Sequence, residues 1–343
     1  MSNVLFRMKS FIISITNRSI TRLFFLTLLI LLLGALGLSY FEHPPHIIDA
    51  LWWSFVTITT VGYGDIAPST IGGRITGIVV MVFGIGILGM FTATIASAFV
   101  TGKIKEGKGV IDVKVKDHFL ICGWSYKAKE IIAELRADKK VRDKPIVLVA
   151  DIPEKPFEDE NTYFIRGEMS AETAKKANLE AASVVIILSD ESLDSYARDA
   201  KAVLNTLTIR TLNPNAYVCL EITDAKNRQH GRMAGADEII VVGELSCNLL
   251  VQAALDNGIT RIITELVSNQ FGNELYKIPS PENLIGQRFV DVLLFLKSEH
   301  DAITLAVESL DEKRFIANPD MDYIIRDGDQ LIVIAQERPH LVR

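Results

Sequence analysis

Cysteine is scarce in this 343-residue chain. Cys122, Cys219 and Cys247 lie far apart, without metal-like spacing, in apolar strand or helix contexts. They are expected to be buried free thiols, as suits a reducing cytoplasm. A basic excess is also missing: the formal net charge is −6, which argues against nucleic acid as a partner. The six histidines, His43, His46, His118, His230, His300 and His340, pair with no placed nucleophile or acid in any recognisable motif, so nothing supports catalysis. His43 and His46 stand in a polar, proline-rich stretch and are read as exposed loop residues. Most informative is the lack of charge in two long runs, Leu23 to Phe41 and Ile75 to Val100.

Residues 1–22 carry Arg7, Lys9, Arg18 and Arg22 and no acidic residue. A secretory signal is the alternative, but the following run is 19 residues long and no small-residue cleavage site follows it. As a helix that run measures about 28 Å, close to the hydrocarbon thickness. Residues 1–22 are therefore expected to be a cytoplasmic interfacial helix, 23–41 the first span and 75–100 the second. Lys103, Lys105 and Lys108 follow the second run, so positive charge flanks the membrane on the side of both termini. Both ends are expected in the cytoplasm and the chain in the inner (plasma) membrane as a multi-pass protein.

Between the spans stands Thr59-Thr60-Val61-Gly62-Tyr63-Gly64-Asp65, which resembles the selectivity filter of potassium channels. Gly62 and Gly64 permit backbone conformations that a side chain forbids. Asp49 to Thr59 is a short aromatic-rich stretch whose Asp49 can serve as N-cap, and it reads as the pore helix. The resemblance implies that the oxygens of Thr60, Val61, Gly62 and Tyr63 coordinate K+, with Gly64 closing the filter (60–64) and Thr59, Asp65, Trp52 and Trp53 supporting it. Residues 42–46 would be the extracellular turret. The resemblance also implies a gating hinge at Gly84, 20 residues past Gly64, and a wide inner cavity at Gly89. Ala93 and Ser97 stand where some members carry an acidic ring, which argues against very high conductance. One chain supplies one loop, so the pore domain, 23–100, is expected to form a homotetramer in the bilayer.

After a Gly- and Lys-rich linker, 101–117, the hydrophobic period changes. Apolar runs at 118–123, 146–151, 163–165, 184–188 and 217–221 alternate with helical stretches, the first over 127–137. Such a pattern predicts a doubly wound parallel sheet, a Rossmann-like α/β domain over 118–269. Cys122-Gly123-Trp124-Ser125, Arg166-Gly167-Glu168 and Arg232 to Glu238 resemble the RCK domain, the ligand-sensing module of potassium channels and transporters. Leu284-Ile285-Gly286, Arg326 to Asp329 and the strand Leu331 to Ala335 resemble its smaller α+β C-terminal lobe, 270–343. With the pore, the likeness to calcium-gated two-span channels covers nearly the whole chain.

Two ligands remain open. Gly123-Trp124-Ser125-Tyr126-Lys127-Ala128 keeps the first Gly of a dinucleotide turn and puts Ser125 at the second place, while Asp151 ends the next strand 28 residues on. NAD or another adenine nucleotide is expected on Gly123, Trp124, Ser125, Asp151, Gly167 and Glu168. The rival is Ca2+ on Asp190, Glu191 and Glu221, at the ends of neighbouring strands; solvated acids are the plain alternative. The resemblance further implies pairing through helices near 245–257 and 260–267 and a gating ring of eight RCK domains. Four chains supply four, and no Met lies between Met90 and Met169. The others would come from a second RCK domain of a longer chain, a regulatory protein or a soluble fragment. A membrane-anchored NAD-dependent oxidoreductase and an RCK-type transporter subunit are the competing readings.

Overall fold

The computed structural model describes residues 18–43, 46–310 and 314–339; most of the expected interfacial helix, 1–22, and the turret's Pro44 and Pro45 lie outside them. The chain divides into two compact units, one ending at Glu106 and one running from Gly107.

In the first unit, helices α1 (Arg18–Glu42) and α3 (Ile71–Gly107) are long and apolar enough to cross a membrane. Their large apolar side chains stay exposed in the single chain, among them Leu33, Leu36, Val82 and Phe83. Close packing is carried by small residues: a Cβ on Gly34 would stand 2.5 Å from Ser54 Oγ, and one on Gly37 2.6 Å from a Thr76 methyl. Helix α2 (Ile47–Ile58) lies between them in sequence, and its buried Ser54 donates a hydrogen bond to the Leu31 carbonyl of α1 at 3.0 Å. This helix starts two residues before the expected Asp49. Its N-cap position is His46, and Asp49 instead places its charge in the first turn, where the helix dipole favours an acid.

The second unit holds two sheets. Strands β1 (His118–Cys122), β2 (Ile146–Ala150), β3 (Thr162–Arg166), β4 (Ala182–Ile187), β5 (Tyr217–Ile222) and β6 (Glu238–Val241) form one parallel sheet in the order β3-β2-β1-β4-β5-β6. Helices α4 (Tyr126–Ala137), α5 (Ala171–Lys176), α6 (Ser195–Leu212) and α7 (Arg228–Met233) connect these strands. Separate clusters cover the two faces, one around Leu120, Val147, Ile187 and Leu220, the other around Ile121, Leu148, Ile132 and Phe164. That two-sided burial explains the continuous apolar runs. The sequence reading omitted β6, an edge strand of four residues whose short apolar run, Ile239-Ile240-Val241, passes straight into the helix beginning at Val242.

Helices α8 (Val242–Leu255) and α9 (Ile259–Val267) lead to an antiparallel sheet of β7 (Glu274–Pro279), β8 (Ile303–Ser309), β9 (Arg314–Ala317) and β10 (Gln330–Ala335), ordered β7-β10-β8-β9. Helix α10 (Phe289–His300) buries Phe289, Val292 and Leu296 against Val307, Leu331 and Val333. Of the three cysteines only Cys122 is buried; Cys219 is half-buried and Cys247 exposed, because Cys247 sits on α8, whose residues find no cover within one chain. The linker expected over 101–117 also differs. Its first seven residues continue α3, which runs through Gly102 and meets no proline before it ends at Gly107, and the rest is fastened to the parallel sheet.

Candidate functional site

The loop after α2 is built from its own backbone. Thr60, Gly62 and Gly64 have φ of +61°, +56° and +78°, while Val61 and Tyr63 do not. Alternating hand is the condition for turning successive carbonyls of an extended loop to one side, and it is strained for any residue with a Cβ. The amides of Val61 and Gly62 both donate to the Val56 carbonyl, at 3.0 and 3.4 Å, and the Thr59 hydroxyl donates to the Phe55 carbonyl at 2.8 Å. The outer part is braced from α2. Trp52 Nε1 donates to Asp65 Oδ2 at 2.8 Å, and its indole stacks on the Tyr63 ring at 5.8 Å with an interplanar angle of 5°. Trp53 is buried in the first unit's core beside Ala35, Leu38 and Ala50.

One anchor had no signal in the sequence. Glu42, the last residue of α1, accepts from the Ser69 and Thr70 amides at 2.9 and 2.8 Å and from their hydroxyls at 2.9 and 2.7 Å. It thereby caps α3 from another helix, and a partner 27 residues away cannot be read from local pattern. The two glycines expected to serve the gate differ in surroundings. A Cβ on Gly84 would come within 3.2 Å of the Ile58 Cα at the base of α2, whereas one on Gly89 meets nothing within 4 Å.

In the second unit a cleft of about 270 Å3 opens at the C-terminal ends of β1, β2, β3 and β4, the edge at which doubly wound sheets bind ligands. Of the expected nucleotide residues, Gly123, Trp124, Asp151, Gly167 and Glu168 line it. Gly123 and Gly167 have φ of +103° and +132°, and a Cβ on Gly123 would stand 3.2 Å from the Leu188 carbonyl oxygen. Ser125 does not line the cleft. Its hydroxyl caps α4 by accepting from the Lys127 amide at 3.3 Å, so it takes up a donor that a phosphate at this turn would use.

Basic residues that sequence reasoning missed face these acids. Lys201 of α6 sits between Glu168 and Asp190, 2.8 Å from each, and with Ser192 it holds the Asp190 carboxyl down at about 2. Arg198 also lines the cleft; it donates from Nη2 to the Glu191 and Leu193 carbonyls, and its Nε is buried without an acceptor. Asp151 stands 3.9 Å from Arg166.

The three acids expected to hold calcium do not converge. Asp190 is taken by Lys201, while Glu191 and Glu221 share the Lys127 ammonium at 2.9 and 2.6 Å. Glu221 is nearly buried and also accepts from the Ser189 amide at 3.1 Å. A tethered cation thus stands where a free one was expected, and among the described residues no three acids, histidines or cysteines form a metal-holding group.

Comparison with known proteins gives three matching family models. They are an ion channel model over residues 25–101, a calcium-activated potassium channel slowpoke-like RCK domain over 114–220, and a Castor and Pollux model, part of a voltage-gated ion channel, over 241–341. The calcium-gated potassium channel TvoK of Thermoplasma volcanium is 29% identical over 94% of this chain and 94% of its own length. YugO of Bacillus subtilis, named a potassium channel by inference, is 27% identical over 89% of this chain and 92% of its own. Among solved structures, the human SLO3 gating ring matches 64% of this chain at a TM-score of 0.51 and 19% identity. The match spans 44% of the SLO3 chain, and at that identity the likeness is one of fold.

Proposed function

We infer that this chain is a two-span potassium channel whose pore is gated by a ligand at its RCK domain. The observation that carries the reading is the filter loop. Three left-handed residues at alternate positions, held from α2 and braced by the Trp52–Asp65 hydrogen bond, form a backbone suited to replacing the hydration shell of K+ with carbonyl oxygens. Thr60, Val61, Gly62 and Tyr63 supply those oxygens, and the Thr60 hydroxyl adds a site at the inner end. The loop is exposed in the single chain, so four chains face one axis. A membrane-anchored oxidoreductase or a transporter subunit would leave this loop without a task.

In the assembled channel both termini lie in the cytoplasm, α3 bends at Gly84 or Gly89 to open, and the RCK domains pair through α8 and α9. The pairing is supported by the exposed Leu245, Leu250, Leu255, Ile262 and Val267. The gating ligand is an adenine nucleotide such as NAD, ADP or ATP. Asp151 suits ribose hydroxyls, and Arg198 and Lys201 offer donors to phosphate, one of them with a buried nitrogen still unpaired. The calcium that TvoK's name implies for that protein would here have to displace Lys127 from Glu191 and Glu221.

Flux and binding test the two halves of the reading. Purified channel in liposomes should pass K+ in preference to Na+, and Gly62→Ala should abolish K+ flux in a tetramer that still assembles. Unchanged selectivity in that variant defeats the filter assignment. Calorimetry of the intact channel with NAD, ADP, ATP and Ca2+ should give heat with a nucleotide that Asp151→Ala removes; heat with Ca2+ alone, abolished by Glu221→Gln, would reverse the ligand assignment.

A further inference from the structure

Helix α3 does not end in a free tether. Gly107, its last residue, offers its carbonyl to the Lys155 amide at 2.7 Å, and Gly109 offers its own to the Arg166 amide at 3.0 Å. The chain then runs on along the parallel sheet. Val113 donates to the Lys176 carbonyl at 2.7 Å, Val115 accepts from Asn178 Nδ2 at 2.7 Å, and Asp117 donates to the Ala181 carbonyl at 2.8 Å. Val113 and Val115 pack into the main core. Only glycine fits at 109: φ is +65°, and a Cβ would lie 2.5 Å from the Arg166 nitrogen and 2.7 Å from the Phe164 ring.

The strand that receives this segment is β3, at the edge of the sheet, and its last residue is Arg166. The next two residues, Gly167 and Glu168, are walls of the ligand cleft, and the Arg166 side chain faces Asp151 across its rim. One peptide unit therefore has the ligand site on one side and the anchored end of the pore-lining helix on the other.

We propose that the Gly109 carbonyl to Arg166 amide bond is the mechanical coupling between cleft and gate, and that Gly109 is its positioning residue. A ligand that engages Gly167, Glu168 or Asp151 displaces the end of β3, and the displacement passes through Gly109 to α3 without slack. This rests on the reading of the cleft as the gating site. It adds that force leaves the sensor at its β3 edge and enters the pore within three residues of the helix end.

The test separates coupling from binding. Single-channel recordings of the full chain in planar bilayers, with ADP as the probe on the side of the RCK domain, are compared for wild type, Gly109→Ala and Lys114→Ala, an exposed position on the same segment. Gly109→Ala should bind ADP within about threefold of wild type by calorimetry and lose at least tenfold of the ADP-dependent change in open probability. Lys114→Ala should behave as wild type. Full ADP response in Gly109→Ala overturns the coupling. If ADP gives wild type neither heat nor gating, the ligand reading fails, and Gly109 is judged by basal open probability, which release of the segment must shift. Should Gly109→Ala fail to fold, hydrogen exchange on wild type decides: ADP must alter protection of the Lys155 and Arg166 amides, and unaltered protection overturns the proposal.

Discussion

Among single residues, Lys127 joins two distant acids. Its ammonium lies 2.6 Å from a nearly buried carboxylate, and removing one partner of such a pair leaves an uncompensated charge. Lys127→Met should destabilise the second unit by roughly 3 kcal/mol, seen as a lower unfolding temperature of the detergent-solubilised protein. Glu221→Gln in the same chain should recover most of the loss; a merely additive double mutant would show that the two do not interact. A second residue sets an acid limit. His118 is fully buried at the start of β1 with neither ring nitrogen in a well-formed hydrogen bond, and burial pushes its pKa down from 6.5 to about 4. Above pH 6.5 the imidazole is neutral in both folded and unfolded chains and has no effect. As pH falls from 6.5 to 4 the unfolded chain takes up a proton that the folded one refuses, so stability drops by about 3 kcal/mol. His118→Asn should flatten that slope in unfolding measured between pH 7 and 4. Both residues were in plain view in the sequence, yet the partner of Lys127 is 94 residues away and the burial of His118 depends on the whole sheet.

At the scale of elements, the proposed function asks α3 to serve as packing surface and gate at once, and the surroundings of its glycines differ. A Cβ on Gly84 would stand 3.2 Å from the Cα of Ile58, the last residue of α2 and one short of Thr59, whose hydroxyl donates to the Phe55 carbonyl. A Cβ on Gly89 would meet nothing within 4 Å in the single chain. Alanine at 89 stiffens the helix by roughly 1 kcal/mol, so Gly89→Ala should change open probability about fivefold at unchanged K+ over Na+ selectivity. Gly84→Ala should alter selectivity or conductance as well, because its methyl displaces Ile58. Equal effects of the two on gating alone would assign both to bending and none to filter support. The spacing of Gly84 from the filter was legible in the sequence; its contact with Ile58 was not, since only the path of α2 brings them together.

For the whole molecule, a single chain is an incomplete object. The 60–64 loop and apolar side chains of α1, α3, α8 and α9 are exposed in the single chain, and the proposed tetramer is what would cover them. Native mass measurement of the detergent-purified protein should give four chains of 38.0 kDa. Added mass would identify the source of further RCK domains: another protein would point to a regulatory subunit, and a fragment beginning near residue 108 to 118 to an internal start. A monomer or dimer that still conducts selectively would defeat the four-fold pore.

What the sequence determined alone is whatever depends on neighbours in the chain. Two uncharged runs of membrane length and five apolar strands between helices follow from local sterics and solvation, so the spans and the α/β fold could be written down from residues, while the pore and its ion rested on the likeness of the TVGYG loop at 60–64 to a potassium-channel filter. Tertiary structure decided what depends on residues far apart. It gave Glu191 and Glu221 to Lys127 and Asp190 to Lys201, put Ser125 to capping a helix, and fastened residues 107–117 along the sheet. The physical reason is that a carboxylate's role is set by which charge the fold brings within about 3 Å of it, and no spacing along the chain encodes that distance.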